Sequence, residues 1–155
     1  MTIAQTLEVR LARAPAEVFD QLIAVERWPE WLVASGIVRV ERVGEPVGSP
    51  LSAGSPLRIE QRVAGRSATL EAKVTALLAP ARFAVAGRAS DGITVEIDAE
   101  LAPADPSGTS LRWSVRIGLP LRYRMFESMA APQVERAAGL DLEAFRRRME
   151  SVAGD

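Results

Sequence analysis

Cysteine is absent from the 155 residues, which excludes disulfides, thiolate metal sites and a cysteine nucleophile. Histidine is absent too. That removes Ser-His-Asp catalysis, imidazole-ligated zinc and the usual general base near neutral pH. No stretch approaches the ~20 apolar residues of a membrane span. The opening Met1-Thr2-Ile3-Ala4-Gln5 has neither the basic nor the apolar region of a secretory signal. Neither sign of charge dominates: 19 Lys and Arg against 20 Asp and Glu leave a net charge of −1. Such a balance gives no electrostatic footprint for nucleic acid or an anionic membrane. There is no glycine-rich phosphate loop and nothing resembling a metal-ligand set. These absences predict a soluble cytoplasmic protein, a monomer or a homodimer, with no cofactor, no metal, no nucleic-acid partner and no membrane insertion.

What is present is a single domain's worth of chain, residues 1–155, with 48% hydrophobic residues. At this length roughly 68–70% of the unfolded surface can be buried, so a core forms without staples. Leu7, Val9 and Leu11 alternate with Glu8 and Arg10, the period of a strand with one wet face. Ala14-Pro15-Ala16-Glu17 then opens a helix, since proline suits the first turn and glutamate favours the N-terminal dipole. Val18, Phe19, Leu22 and Ile23 supply its apolar stripe. Pro29 interrupts near Trp28, a second short helical turn starts at Trp31-Leu32, and Gly36 ends it.

From Ile37 the period is two. Leu57, Ile59, Gln61 and Val63 share one phase, as do Leu70, Ala72 and Val74; Phe83 and Val85; Ile93, Val95, Ile97 and Leu101; and Leu111, Trp113, Val115 and Ile117. Residues 44–56 hold three Gly, three Pro and three Ser and read as a long hairpin loop. Ala64-Gly65-Arg66, Ala79-Pro80-Ala81, Ser90-Asp91-Gly92 and Pro103 to Gly108 read as turns. The period then becomes helical: Ala131, Val134, Ala138, Leu142, Phe145, Met149 and Val152 lie three or four apart. Pro132 is expected to break or kink the stretch before it. A sheet with one apolar face needs a cover, and a twisted sheet curled round one long helix leaves room between them for a ligand.

Three features together resemble the START/Bet v 1-like (SRPBCC) superfamily, in its polyketide cyclase/dehydrase and lipid-transport branch. They are the opening strand followed by Ala14-Pro15-Ala16-Glu17-Val18-Phe19, the link Trp28-Pro29-Glu30-Trp31, and the strand closing on Trp113-Ser114-Val115 before the long helix. The resemblance spans about Thr6 to Ser151. It implies an α+β helix-grip fold: a seven-stranded curved antiparallel sheet wrapped round a long C-terminal helix, with two short helices after strand one. It does not choose among the family's functions, because fold alone does not.

Each candidate residue has two readings. Trp28 and Trp31 are a pocket rim or a structural wedge between helices and sheet. Gln61, polar at an apolar phase, orients a ligand or is satisfied by water or backbone. Tyr123 points its hydroxyl into the cavity, with Arg122 and Arg124 as a cationic mouth, or lies on a solvated helix surface. Met125, Phe126 and Met129 are a shape-tolerant pocket face or ordinary core. Ala72, Phe83, Val95 and Trp113 follow the inward phase and are expected to line the cavity. Arg146-Arg147-Arg148 point about 100° apart and read as a solvated face. Glu71, Glu96, Asp98 and Glu100 fall on the outward phase.

The expected function is binding of a hydrophobic small molecule (a lipid, polyketide or aromatic metabolite) in the space between sheet and C-terminal helix. The alternative is a polyketide cyclase/dehydratase-type enzyme using the same cavity, which needs a proton acceptor and a carbonyl-orienting donor. The third is a protein-interaction domain, for which the cavity would be filled and an apolar patch exposed.

Overall fold

The computed structural model describes residues 2–63 and 65–153. Ala64 of the expected hairpin turn and the side chain of Val152 lie outside what is described. Along the chain run β1 (Thr2–Leu11), α1 (Pro15–Leu22), a 3-10 helix (Val25–Glu30), β2 (Ile37–Arg42), β3 (Pro56–Val63), β4 (Arg66–Leu78), β5 (Arg82–Ala89), β6 (Thr94–Ala104), β7 (Gly108–Gly118), a second 3-10 helix (Leu121–Phe126) and α2 (Glu127–Ala153). All seven strands pair antiparallel in one sheet, ordered β1-β7-β6-β5-β4-β3-β2. It is a meander from β2 to β7, with β1 returning to the β7 edge. Register shifts between Ile37 and Arg39 and between Val74 and Ala76 add the local twist that curves a sheet. The curved sheet grips the long C-terminal helix, the helix-grip arrangement.

Alternation dictates what each face carries. The apolar phases of β3 to β7 turn inward, and the charged phases pair across neighbouring strands on the outside: Arg58 with Glu71 at 3.1 Å, Arg82 with Asp98 at 2.7 Å, Arg112 with Glu8 at 2.9 Å. Pairs this exposed contribute little to stability, so they fix register more than they hold the fold. Arg148 departs from a solvated face. It donates to Glu30 at 2.8 Å and to Gln21 at 3.3 Å, tying α2 to the N-terminal helices. Two prolines also sit differently from expectation. Pro103 lies within β6, where the strand has outrun β5 and pairs only with β7, leaving an open edge on which proline is tolerated. Pro132 lies inside α2. The helix runs on through it, at the cost of the bond a backbone N–H there would donate to the Ser128 carbonyl.

α1 starts at Pro15, and the Ala14 carbonyl accepts from the N–H groups of Glu17 and Val18. It ends where Trp28 Nε1 donates to the carbonyl of Leu22 at 2.9 Å. One bond thus satisfies a buried indole and a carbonyl left over at the helix end. Gly36, at φ +75°, begins the return to the sheet; a Cβ there would lie 2.2 Å from the carbonyl oxygen of Arg62. No other residue lets β2 approach β3 so closely.

The packed core is aromatic. Trp31 contacts Trp28, Trp113 and Phe145, with ring centroids 6.5, 5.5 and 4.7 Å away. Trp28 meets Phe83 at 6.2 Å, and Phe83 meets Phe19 at 6.5 Å. This chain of rings joins α1, the first 3-10 helix, the sheet and the C-terminal half of α2. We expect Trp31→Ala to cost about 3–5 kcal/mol, read as a fall in denaturation midpoint at unchanged slope. Met125→Ala, at an exposed site, should stay within about 0.5 kcal/mol of the parent. Equal midpoints for the two variants would remove Trp31 from the centre of the core.

Candidate functional site

The inward phase divides into a packed half and an open half, and the boundary crosses the sheet obliquely, since packed Ala72 lies in register with Gly87, Val95 and Ile117 of the open half. On the packed side lie Leu57 and Ala72, paired with each other, and Phe83, Ala99 and Trp113, paired in succession. One inward position further along the same strands lie Ile59 and Leu70, then Val85, Ile97 and Val115, and these line a cavity of about 400 Å³. Its roof is the N-terminal half of α2, through Ala130, Gln133, Val134, Ala137 and Ala138. No described residue of α2 before Ala138 is fully buried, because that half stands off the sheet. Beyond it Leu142, Phe145 and Met149 are buried in the core.

The lining is mostly aliphatic, with few polar groups. Gln61 Nε2 donates to the carbonyl of Ser35 at 2.8 Å, which explains how an amide occupies an apolar phase. Ser35 and Ala34, also on the lining, are held from behind by Asp141 of α2. One of its carboxylate oxygens accepts from the Ala34 N–H at 2.9 Å and the other from the Ser35 hydroxyl. Asp141 is only 2% exposed. Burial pushes its carboxyl above the ordinary 3.8; the bonds from the Ser35 side chain and from the Ala34 and Ser35 N–H groups pull it down by less. Gln61, the 34–35 segment and Asp141 thus form one bonded path from the cavity wall to the back of α2.

Of the residues singled out from the sequence, Trp28, Gln61, Val95 and Trp113 lie on the cavity wall. Trp31, Ala72 and Phe83 are buried but belong to the packed half. Ala72 lies opposite Gly87, which lines the cavity, and one inward position from Leu70 on its own strand. Tyr123 stands outside the lining with its ring against two guanidinium groups, Arg66 at 5.8 Å and Arg122 at 4.9 Å. Met125 and Met129 are 78% and 66% exposed and line no part of the cavity; the second 3-10 helix buries none of its residues. Sequence reasoning passed over Ser35, Arg66, Ala68 and Ala137 on the wall. Ala137 carries a legible signal, since Ala130, Val134, Ala137 and Ala138 form one helical stripe. Arg66 carries none, being indistinguishable from a solvated turn residue.

Asp141 sets a pH signature. A carboxyl raised in the folded state binds its proton more tightly there than in the unfolded chain. Its contribution is therefore fully present below about pH 3.8 and is lost as pH rises through the higher folded value. Asp141→Asn keeps the shape and cannot ionise. The stability difference between variant and parent should shift in the variant's favour as pH climbs through that window. Asp141→Ala leaves the Ala34 N–H and the Ser35 hydroxyl without their acceptor and should cost about 1–3 kcal/mol. Urea melts from pH 3 to 7 measure both, and parallel profiles for parent and Asn variant would show that Asp141 does not titrate in this way.

Comparison with known proteins places this geometry. Residues 2–150 match the family described as polyketide cyclase / dehydrase and lipid transport. Among solved structures, the chain is similar to a START superfamily protein from Mycobacterium smegmatis, at 18% identity and TM-score 0.70, covering 96% of this chain and 98% of that one. It is similar to the ZhuI aromatase/cyclase from Streptomyces sp. R1128, at 18% identity and TM-score 0.73, covering 97% and 94%. It is also similar to a protein of unknown function from Staphylococcus aureus, at 13% identity and TM-score 0.75, covering 100% and 98%. At these identities the likeness concerns the fold. No curated protein matches the chain.

Proposed function

The chain belongs to the polyketide cyclase/dehydrase and lipid transport family, within the START/Bet v 1 superfamily, and on that premise we propose that it binds a hydrophobic small molecule, a lipid, polyketide or aromatic metabolite, in the cavity between sheet and C-terminal helix. The observation that carries this reading is the cavity itself. Its volume of about 400 Å³ falls in the range of small-molecule sites, ~300–1,000 Å³. Its wall is chiefly Ile, Val, Leu, Ala and Trp, which favours a ligand by burial at about 25 cal/mol per Å² and offers few fixed polar contacts.

The cyclase reading draws support from the family and from the fold shared with an aromatase/cyclase. It needs a group that takes a proton from the substrate. Among the described residues on the wall there is no carboxylate and no tyrosine, and the chain has no histidine. Asp141 is not on the wall and is engaged by Ala34 and Ser35. Binding is therefore the reading the wall supports best. The interaction-domain reading is disfavoured because the interior is not filled.

The test is a thermal-shift screen of fatty acids, sterols, flavonoids and polyketide mimics. A ligand present at a hundred times its dissociation constant adds about 2.7 kcal/mol, a rise of roughly 5–10 °C in Tm at this chain length. Val115→Trp, which fills open space at the wall rather than the packed half, should keep the parent's melting temperature and lose the shift. A screen without shifts, or shifts unchanged in Val115→Trp, would count against this cavity. Turnover of a poly-β-ketone would move the reading to the cyclase.

A further inference from the structure

The charge at the mouth of the cavity narrows the class of ligand. Among the described residues on the wall, Arg66 is the one charged side chain. It is the first residue of β4 and 54% exposed, so it stands where cavity meets solvent. Its guanidinium pairs with the carboxylate of Asp91 in the β5–β6 turn and lies against the ring of Tyr123. Arg122 packs on the same ring and donates to the backbone carbonyl of Asp91. Just outside, a surface groove of about 390 Å³ is lined by Arg88, Asp91 and Arg122 and shares Leu119 with the cavity. Two guanidinium groups, Arg66 and Arg122, thus meet one carboxylate at this opening, with Arg88 on the adjoining groove, in a chain whose net charge is −1. The excess is local. A cationic ligand would find no counter-ion on the wall, whereas a carboxylate entering here meets planar donors suited to bidentate bonding.

We propose that the ligand is an amphiphilic carboxylate, its apolar body in the cavity and its carboxylate at the mouth between Arg66 and Arg122, beside Tyr123. In this arrangement the ligand competes with Asp91 for Arg66. The inference rests on the reading that the cavity binds a hydrophobic molecule, and it adds the headgroup that such a molecule carries.

A matched pair of probes separates the two. Dodecanoate and dodecan-1-ol share the chain and differ in the head, and their affinities are measured by calorimetry below the concentration at which either aggregates. The acid is expected to bind roughly tenfold more tightly at low salt, as a charge-assisted contact implies, with the advantage shrinking as salt is added. Arg66→Gln should abolish that advantage, lowering the acid's affinity roughly tenfold and the alcohol's far less. Asp91→Asn keeps the side-chain oxygen that accepts from the Ile93 N–H at 3.2 Å but removes the internal competitor, so it should widen the advantage. Equal affinities for acid and alcohol in the parent, or an advantage that survives Arg66→Gln, would overturn the carboxylate inference while keeping the cavity reading. Failure of both probes to bind would overturn the cavity reading and this inference with it.

Discussion

The wedge of Trp31 between Trp113 on the sheet and Phe145 on α2 is the contact on which the rest of the structure depends. With ring centroids 5.5 and 4.7 Å away, it fixes how near the helix comes to the sheet at one end. Close packing there leaves no freedom to close the other end as well, because a rigid helix over a curved sheet cannot follow it along its whole length. The standoff of the N-terminal half of α2, and with it the cavity, is the geometric partner of the aromatic cluster. Trp28 and Trp113 belong to both regions: each touches Trp31 and each contributes to the wall. The cavity therefore has a rigid floor at its inner end and a lighter, partly exposed rim at its outer end.

Much of this was legible in the chain. Period-two alternation sets which residues point inward, and in β3 to β7 the apolar phase does so. Proline and glutamate placed the start of α1, and the cluster of Gly, Pro and Ser placed the loop after β2. What alternation does not encode is depth along a strand. Ala72 and Leu70 share a phase, as do Phe83 and Val85, yet one of each pair lies in the packed half and the other faces open space. That distinction depends on where Trp31 and Phe145 come to rest, which is a property of tertiary packing. The methionines failed for a related reason. Met125, in the second 3-10 helix, and Met129, in the first turn of α2, carry no periodic partner strong enough to say which way the chain turns there, and they lie outside. Asp141 was invisible because its role is to satisfy backbone and hydroxyl groups of a loop more than a hundred residues earlier.

The polar groups around the cavity divide by function. Gln61, the 34–35 segment and Asp141 bond to one another, so their cost of burial is partly met internally and they hold the loop before β2 against α2. Such a closed network stabilises shape more than it recognises anything. Arg66 differs because its own side chain is half exposed, its partner Asp91 is a largely covered carboxylate in the β5–β6 turn, and Arg122 reaches the same turn. The first group sets the wall; the second sets the door.

The division of the interior also bears on how such proteins diverge. Ala68, Ala89 and Ala137 on the wall are small residues whose enlargement trims the cavity without touching Trp31, Phe83 or Phe145 on the far side of the boundary. Substitutions at well-separated sites act nearly independently. Selection can therefore reshape the cavity through a handful of alanines while purifying selection guards the aromatic half, and the two histories need not track each other in time.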